Sequence, residues 1–316
     1  MLFRSDPVGR RALIVGGAAL VAGSTVVYGL IHALWWITAL RIVSGFGEAG
    51  FFVGAATMIT DLAPPERRGE AVRYWSVAVY GGLAFGPYLG DLLQTGGHAV
   101  RAFVVSAGLA TLATILGTFT RDVPREPRAD APKRLVHPAA LRPGTILFLG
   151  LMPLSAFGPL LPLYVDSPGG PEVSAGLVFL VYGILIMTVR LLGARIPDRL
   201  GARNSGGLAL VLTASGILVV AAVPSAVGLL GGTAVFACGM SLLYPAMLLL
   251  ALTGIGDSER ASVVGTFSSF FDASAGFGAI LAGAVASIAG YRGAFAVTGL
   301  SCAVGLVLLR RRVGAA

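Results

Sequence analysis

The sequence predicts an all-α membrane protein, a bundle of about ten transmembrane helices arranged in two related halves. Composition is the first reason: 56% of the 316 residues are hydrophobic and only 12% charged, with a mean hydropathy of +0.85. A soluble domain carries roughly 25% charged residues. No core of this size hides so much apolar surface, so the remainder must face lipid. Length is the second reason, since ten apolar stretches reach the ~17–25 residues with which a helix crosses a bilayer. The third is an internal repeat. Asp6, Gly9 and Arg11 in DPVGRR return 192 residues later as Asp198, Gly201 and Arg203 in DRLGAR. At the same offset Arg68 returns as Arg260, Gly86 as Gly278, and Ala102-Phe103 as Ala294-Phe295.

In chain order the stretches are 12–31, 34–59, 73–94, 100–119, 144–165, 174–194, 205–223, 227–250, 263–286 and 293–310. Each reads as a helix, because a membrane barrel would show short alternating segments instead. Pro153, Pro159 and Pro245 fall inside spans, where proline is tolerated better than in soluble helices. The longest polar break, 120–143, is rich in Pro, Arg and Asp and reads as a linker. It also falls where the repeat requires the halves to join. The expected organisation is an incomplete N-terminal half-bundle of four helices at 1–119, a cytoplasmic linker at 120–143, and a six-helix bundle at 144–316. Residues 144–197 have no counterpart in the first half, since theirs would precede Met1. Roughly fifty residues, two helices' worth, are therefore expected to be missing.

Orientation follows from the basic residues. Alternating the spans puts 19 of the 23 Lys and Arg on the side of the termini and only Arg101 and Arg292 on the other. The positive-inside rule then makes both termini cytoplasmic. The net charge of +8 serves this placement rather than nucleic acid, because the charges sit in short loops and not along one helix face. Lys133 is the only lysine, and Ala and Gly abound, which suggests a high-GC bacterial genome and hence a bacterial inner (plasma) membrane. Cys238 and Cys302 lie in apolar spans without metal-like spacing, and His32, His98 and His137 are isolated. No metal and no cofactor is expected.

Two motifs carry mechanism. The run Gly193-x4-Asp198-Arg199-x-Gly201-x-Arg203 combines glycines for a tight turn, a carboxylate able to face a helix N-terminus, and arginines able to reach anionic lipid. The run Gly82-x3-Gly86-Pro87-x2-Gly90 sets small residues at the spacing that lets membrane helices approach closely, and its proline bends the helix. Both resemble motifs of the major facilitator superfamily. The resemblance covers essentially the whole chain, as helices three to twelve of a twelve-helix fold. It implies that the first run latches one conformation and releases it during transport. The first-half copy, Asp6, Gly9 and Arg11, departs from the pattern in having Pro7 where a basic residue is usual. The glycine-proline run is similar to the motif of proton-coupled exporters, with Asp91 in place of the second of two final glycines.

Ionisable groups at membrane depth are costly and by default mark a pathway or a relay. Glu48 lies midway along 34–59 and Asp272 midway along 263–286. Arg41, two turns before Glu48 on the same helical face, resembles the fourth-helix arginine that many antiporters of the family carry near the coupling site. These three are the proton-coupling candidates; mutual neutralisation is the structural alternative. Arg190, nearer the end of its span, is expected to snorkel to the interface. Under the family's arrangement 144–165 and 227–250 face a central cavity, which makes Phe157, Tyr164 and Tyr244 candidate substrate contacts.

Competing classes find no support. The sequence has no HExxH, no nucleophile elbow and no GxxxxGK[ST] phosphate loop, which argues against an intramembrane enzyme and an ATP-driven pump. An exporter of two five-helix repeats fails on the offset. Halves repeated through a membrane are the build of secondary transporters. The expectation is a monomeric, proton-coupled exporter of a small organic compound working by alternating access, with substrate, protons and the lipid bilayer as its partners. An uptake permease and a non-transporting fragment are the alternatives.

Overall fold

Lipid offers no hydrogen bonds, so a spanning segment must satisfy its backbone internally, and a long apolar run does so as a helix. The computed structural model describes residues 9–31, 33–64, 67–94, 99–121, 136–193 and 199–311. Among them the regular elements are the helices α1 (Arg10–Tyr28), α2 (Leu34–Leu62), α3 (Arg68–Gln94), α4 (Ala99–Thr118), α5 (Pro138–Val165), α6 (Ala175–Leu192), α7 (Ala202–Ala222), α8 (Ala226–Leu252) and α9 (Asp257–Arg310). Eight are long and apolar enough to cross a bilayer. The exception is α3, whose tyrosines, glycines and Asp91 dilute its apolar content.

The helices start ahead of the apolar stretches at three places, with α3 at Arg68, α5 at Pro138 and α9 at Asp257. Apolarity marks only the part of a helix that crosses lipid, and polar first turns extend beyond it. The spans expected at 263–286 and 293–310 are the two helical legs of α9, which meet at a kink. Gly290 alone leaves the helical region, at φ 70° and ψ 176°, a conformation that favours glycine.

The repeat is visible in the helix boundaries. Arg10 and Ala202 open α1 and α7, Leu34 and Ala226 open α2 and α8, and Thr118 and Arg310 close α4 and α9, each pair 192 residues apart. The caps match as well: Gly9 (φ 79°, ψ 145°) precedes α1 and Gly201 (φ 78°, ψ 153°) precedes α7.

The chain forms two compact units, one of 1–79 and 89–127, the other of 80–88 and 128–316. In the first, α1 packs on α2 and α4. A Cβ on Gly47 would lie 2.7 Å from the Gly17 carbonyl oxygen, so α1 and α2 approach backbone to backbone. In the second, α5 packs on α9, α7 on α8 and α9, and α6 on α8. There Gly239, the counterpart of Gly47, would place a Cβ 2.8 Å from the carbonyl oxygen of Ala209, the counterpart of Gly17. One contact is thus built twice. Without a hydrophobic force between helices in lipid, such close van der Waals packing is what holds them together.

Polar groups of the second unit tie its helices further. Ser274 donates to the Phe148 carbonyl (3.0 Å), Ser155 to that of Ser274 (2.9 Å) and Ser301 to that of Leu149 (2.7 Å), so α5 and α9 are joined along their length. Arg292 caps the end of α7 through Ala221 (2.6 Å) and Ala222 (3.1 Å).

Candidate translocation site

The charged residues within spans come first, because lipid makes each of them expensive. Glu48 is exposed on α2 and accepts from Ser44, one turn earlier, at 3.2 Å. Arg41 does not reach it. Its guanidinium lies over the Tyr28 ring of α1, 5.4 Å from the centroid. The two share a helical face, as their spacing requires, yet a ring from the neighbouring helix engages the arginine instead. Asp272 is exposed on α9. Among the described residues the carboxylates with a basic neighbour include Glu70, paired with Arg67 (2.8 Å), and Glu259, which faces the His137 ring (3.7 Å); neither span carboxylate is among them.

Arg190, in the last turn of α6, rests against a ring of α3. Its guanidinium carbon lies 4.1 Å from the centroid of Tyr80, and its Nε is shut from solvent without a hydrogen-bond partner among the described residues. The physical reason is direction. Side chains on a helix lean toward its N-terminus, so an arginine in the last turn of α6 points back into the span unless its stem folds outward. Tyr80 reaches it because α3 and α6 touch closely, with Gly183 so near Ala84 that no side chain would fit there.

Phe157 is fully buried between Phe179 (5.7 Å between centroids), Tyr182 (5.5 Å) and Phe236 (5.2 Å), which makes it a packing residue rather than a substrate contact in this conformation. Tyr164 is buried against Phe295 and Tyr291. Tyr244 is half-buried, edge-on to Phe267 (5.4 Å) and Phe271 (6.0 Å).

The loop motif is only partly placed, since Asp6 and Asp198 lie outside the described residues. Gly193 ends α6, donating to the Val189 carbonyl at 2.7 Å, and Gly201 supplies the left-handed cap of α7 as Gly9 does for α1. Arg199 and Arg11 are exposed, and Arg203 donates to the Arg310 carbonyl at 2.7 Å, tying the start of α7 to the end of α9.

The glycine-proline run sits on α3, which continues as a helix through Pro87. The close approach on this helix is made by Ala84, not by the motif's glycines. A Cβ added at Gly82 or Gly86 would meet nothing within 4 Å among the described residues, and one at Gly90 only the Gln94 amide at 4.0 Å. Residues 82, 86 and 90 share one face, and 84 lies about 200° around the helix from 82, on the face turned to α6. The repeat makes the open face informative. Ser274, the counterpart of Gly82, is fully buried on α5, and a Cβ on Gly278, the counterpart of Gly86, would lie 2.6 Å from Ser155 of α5.

His137 is not isolated. It is buried at the start of α5, where its Nδ1 accepts from the Ala139 N–H (3.3 Å), its backbone N–H donates to Thr266 (2.9 Å), and its Nε2 faces Glu259. The sequence signal was its position just before Pro138, a helix-opening residue.

A repeated, polytopic bundle of apolar helices with ionisable groups within its spans is the build of a membrane transporter. The family model described as Major Facilitator Superfamily matches residues 3–272 and, a second time, 144–315. An uncharacterized MFS-type transporter of Salmonella typhimurium is 28% identical over 318 residues, covering 96% of this chain and 80% of the relative. Another, from Burkholderia mallei, is 25% identical over 315 residues, covering 96% and 76%. The crystal structure of the human organic anion transporter MFSD10 (TETRAN) superposes with a TM-score of 0.68 at 20% identity, covering 97% of this chain and 78% of that one. FucP in its outward conformation gives 0.60 at 18%, covering 95% and 82%; both likenesses speak for the fold alone. The chain belongs to the major facilitator superfamily. It is a multi-pass membrane protein whose function is secondary transport of a small molecule, not enzymatic catalysis.

Proposed function

We propose that the protein exports a small organic compound by alternating access, in exchange for protons carried on Glu48 and Asp272. The observation that carries this reading is that both span carboxylates are exposed and lack a basic partner among the described residues. A carboxyl group that alternates between two water-accessible sides can bind a proton on one and release it on the other. The glycine-proline run on α3 adds support through its likeness to the exporter motif. In inverted vesicles acidified inside, a compound that the protein exports should partly collapse the proton gradient, read with a pH-sensitive dye. A panel of amphipathic cations, organic anions and sugars, none of which does so, sinks the export reading.

The proposed location is the bacterial inner membrane, with both ends in the cytoplasm, on the strength of the 19-to-2 distribution of basic residues. Single cysteines at Gly169 and Ala202 test it in whole cells. An impermeant maleimide should label the first and spare the second; the reverse pattern refutes the orientation.

The open face of α3 suggests how the transporter is completed. Its counterpart on α9 is covered by α5, so the reading is that Gly82 and Gly86 receive a further span, one of a pair related to α5 and α6. Gly86→Ala should leave the 316-residue chain as stable as before, because the added Cβ meets open space among the described residues. Gly278→Ala should destabilise it by about 1–3 kcal/mol through collision with Ser155. Equal loss of thermal stability in both variants would show that the Gly86 face is already occupied. The vesicle assay, run with and without the DNA upstream of Met1, separates a need for the extra pair from a failure of the export reading.

A further inference from the structure

We propose that the arginines around the last turn of α9 form a headgroup site for an anionic phospholipid with two phosphates, held between the starts of α5 and α7. Its place in the inner leaflet rests on the orientation proposed above. The site itself lies within the second unit, which contains 128–316.

Several cations converge on one turn. Arg142 of α5 donates through Nη2 to the carbonyls of Leu308 (2.7 Å) and Arg311. Arg203 of α7 donates through Nη2 to that of Arg310 (2.7 Å). Residues 308–311 make about one helical turn, so guanidinium groups from two other helices meet there beside Arg310 and Arg311. Arg203, Arg310 and Arg311 are exposed and Arg142 is half-buried. The carbonyl end of a helix attracts cations, which accounts for part of this arrangement. That end carries only about half an elementary negative charge, against four whole positive ones. Local carboxylates do not supply the difference. In the sequence, 136–146, 194–211 and 304–316 together hold seven arginines and one acid, Asp198. The connection from α8 to α9 adds Asp257, Glu259 and Arg260, and Glu259 faces His137.

A surplus of this kind selects an anion, and the surroundings select a lipid. A guanidinium carries five N–H donors in a fixed fork, so it can hold a main-chain carbonyl and a phosphate oxygen together. Bonds from arginine to phosphate are charge-assisted and stronger than neutral ones. Two phosphates suit the site better than one, because Arg142 and Arg203 come from different helices and are pinned by separate carbonyls. Basic pockets between helix ends on the cytoplasmic side take such headgroups. On the membrane side of the arginines, Leu208 and Val211 of α7 and Val304 and Val307 of α9 are exposed apolar side chains. Acyl chains would cover them; a free phosphate would not.

The purified full chain in neutral detergent is titrated with cardiolipin and with phosphatidylglycerol at equal phosphate, and bound lipid is measured by native mass spectrometry. Cardiolipin should bind at least about tenfold more tightly than phosphatidylglycerol, and millimolar inorganic phosphate should not displace it. Arg203→Gln combined with Arg311→Gln should lower cardiolipin affinity about tenfold. Arg67→Gln combined with Arg121→Gln, in the first unit, removes the same charge and should leave that affinity unchanged. Lysine at 203 and 311 should keep part of the binding, since the charge persists while the fork is lost. Melting curves without lipid show whether each variant folds, and the comparison of ligands on the unmodified chain needs no variant. Cardiolipin binding no tighter than phosphatidylglycerol, displacement by inorganic phosphate, or equal loss in both glutamine pairs would each overturn the proposal. A reversed maleimide pattern would refute the orientation alone and move the standing site to the other leaflet.

Discussion

Gly239→Val is expected to yield no monodisperse folded protein, the largest effect of any single substitution considered. A Cβ there falls 2.4 Å from the backbone nitrogen of Thr213, 2.5 Å from its hydroxyl and 2.8 Å from the Ala209 carbonyl oxygen. Two of these are main-chain atoms, which cannot rotate away. The helices would have to separate, and the loss would spread along the α7–α8 interface, where Gly216 and Gly232 make a similar approach. Overpacking in a dense interior costs about 1–3 kcal/mol when side chains can shift, and more when they cannot. Gly47→Val should act in the same way on α1 and α2, through the Gly17 carbonyl oxygen at 2.7 Å and Leu20 Cβ at 2.9 Å. Gly231→Val is the control, since nothing lies within 4 Å of its added Cβ among the described residues. Size-exclusion profiles in detergent should show aggregation for the first two and a normal peak for the third. A normal peak for Gly239→Val would mean that the helices do not approach as described.

Glu48→Gln or Asp272→Asn should abolish proton-driven export in at least one case while leaving folding intact. Each change preserves size and most hydrogen bonding and removes only the ability to titrate. Glu48→Gln keeps an oxygen for the Ser44 hydroxyl, at present 3.2 Å away, so a structural role would survive the substitution. The measurement is the gradient-collapse assay in inverted vesicles, with substrate binding followed separately. Uphill export at the normal rate by both variants would exclude these carboxylates as the coupling groups. Arg41→Gln adds a discriminating case. Its guanidinium rests on Tyr28 rather than on Glu48, so it should change coupling less than Glu48→Gln does.

Much of the fold was legible because the bilayer imposes one length scale and one solution to backbone hydrogen bonding. The spans from 12–31 to 227–250 correspond to α1 through α8, and Gly9 and Gly201 mark the same left-handed cap in both halves. The break between the two legs of α9 was legible in the polar and small residues of 287–292, but not that a single glycine, Gly290, makes the turn. The site was less legible because its contacts join distant parts of the chain. Arg190 near the end of a span suits a snorkelling side chain equally well until Tyr80, 110 residues earlier, is seen beneath it. Phe157 and Tyr244 carry the same signal in the sequence, yet one is enclosed by rings and the other half-exposed, since burial depends on which neighbours arrive. The Gly82 and Gly86 pattern predicts a close neighbour correctly in kind, but nothing in the motif tells which face Ala84 will turn to α6.

The single-residue join at Gly290 also has a mechanical consequence. A loop of several residues works as a slack tether, letting one helix tilt or slide while its neighbour stays put. With only one residue outside the helical conformation, the two legs of α9 meet as a stiff elbow, and displacement of the first leg must drag the second. Lengthening that elbow with a short Gly-Ser insert would decouple the legs without removing a contact from either. The same stiffness leaves a protease no extended strand to grip at this point.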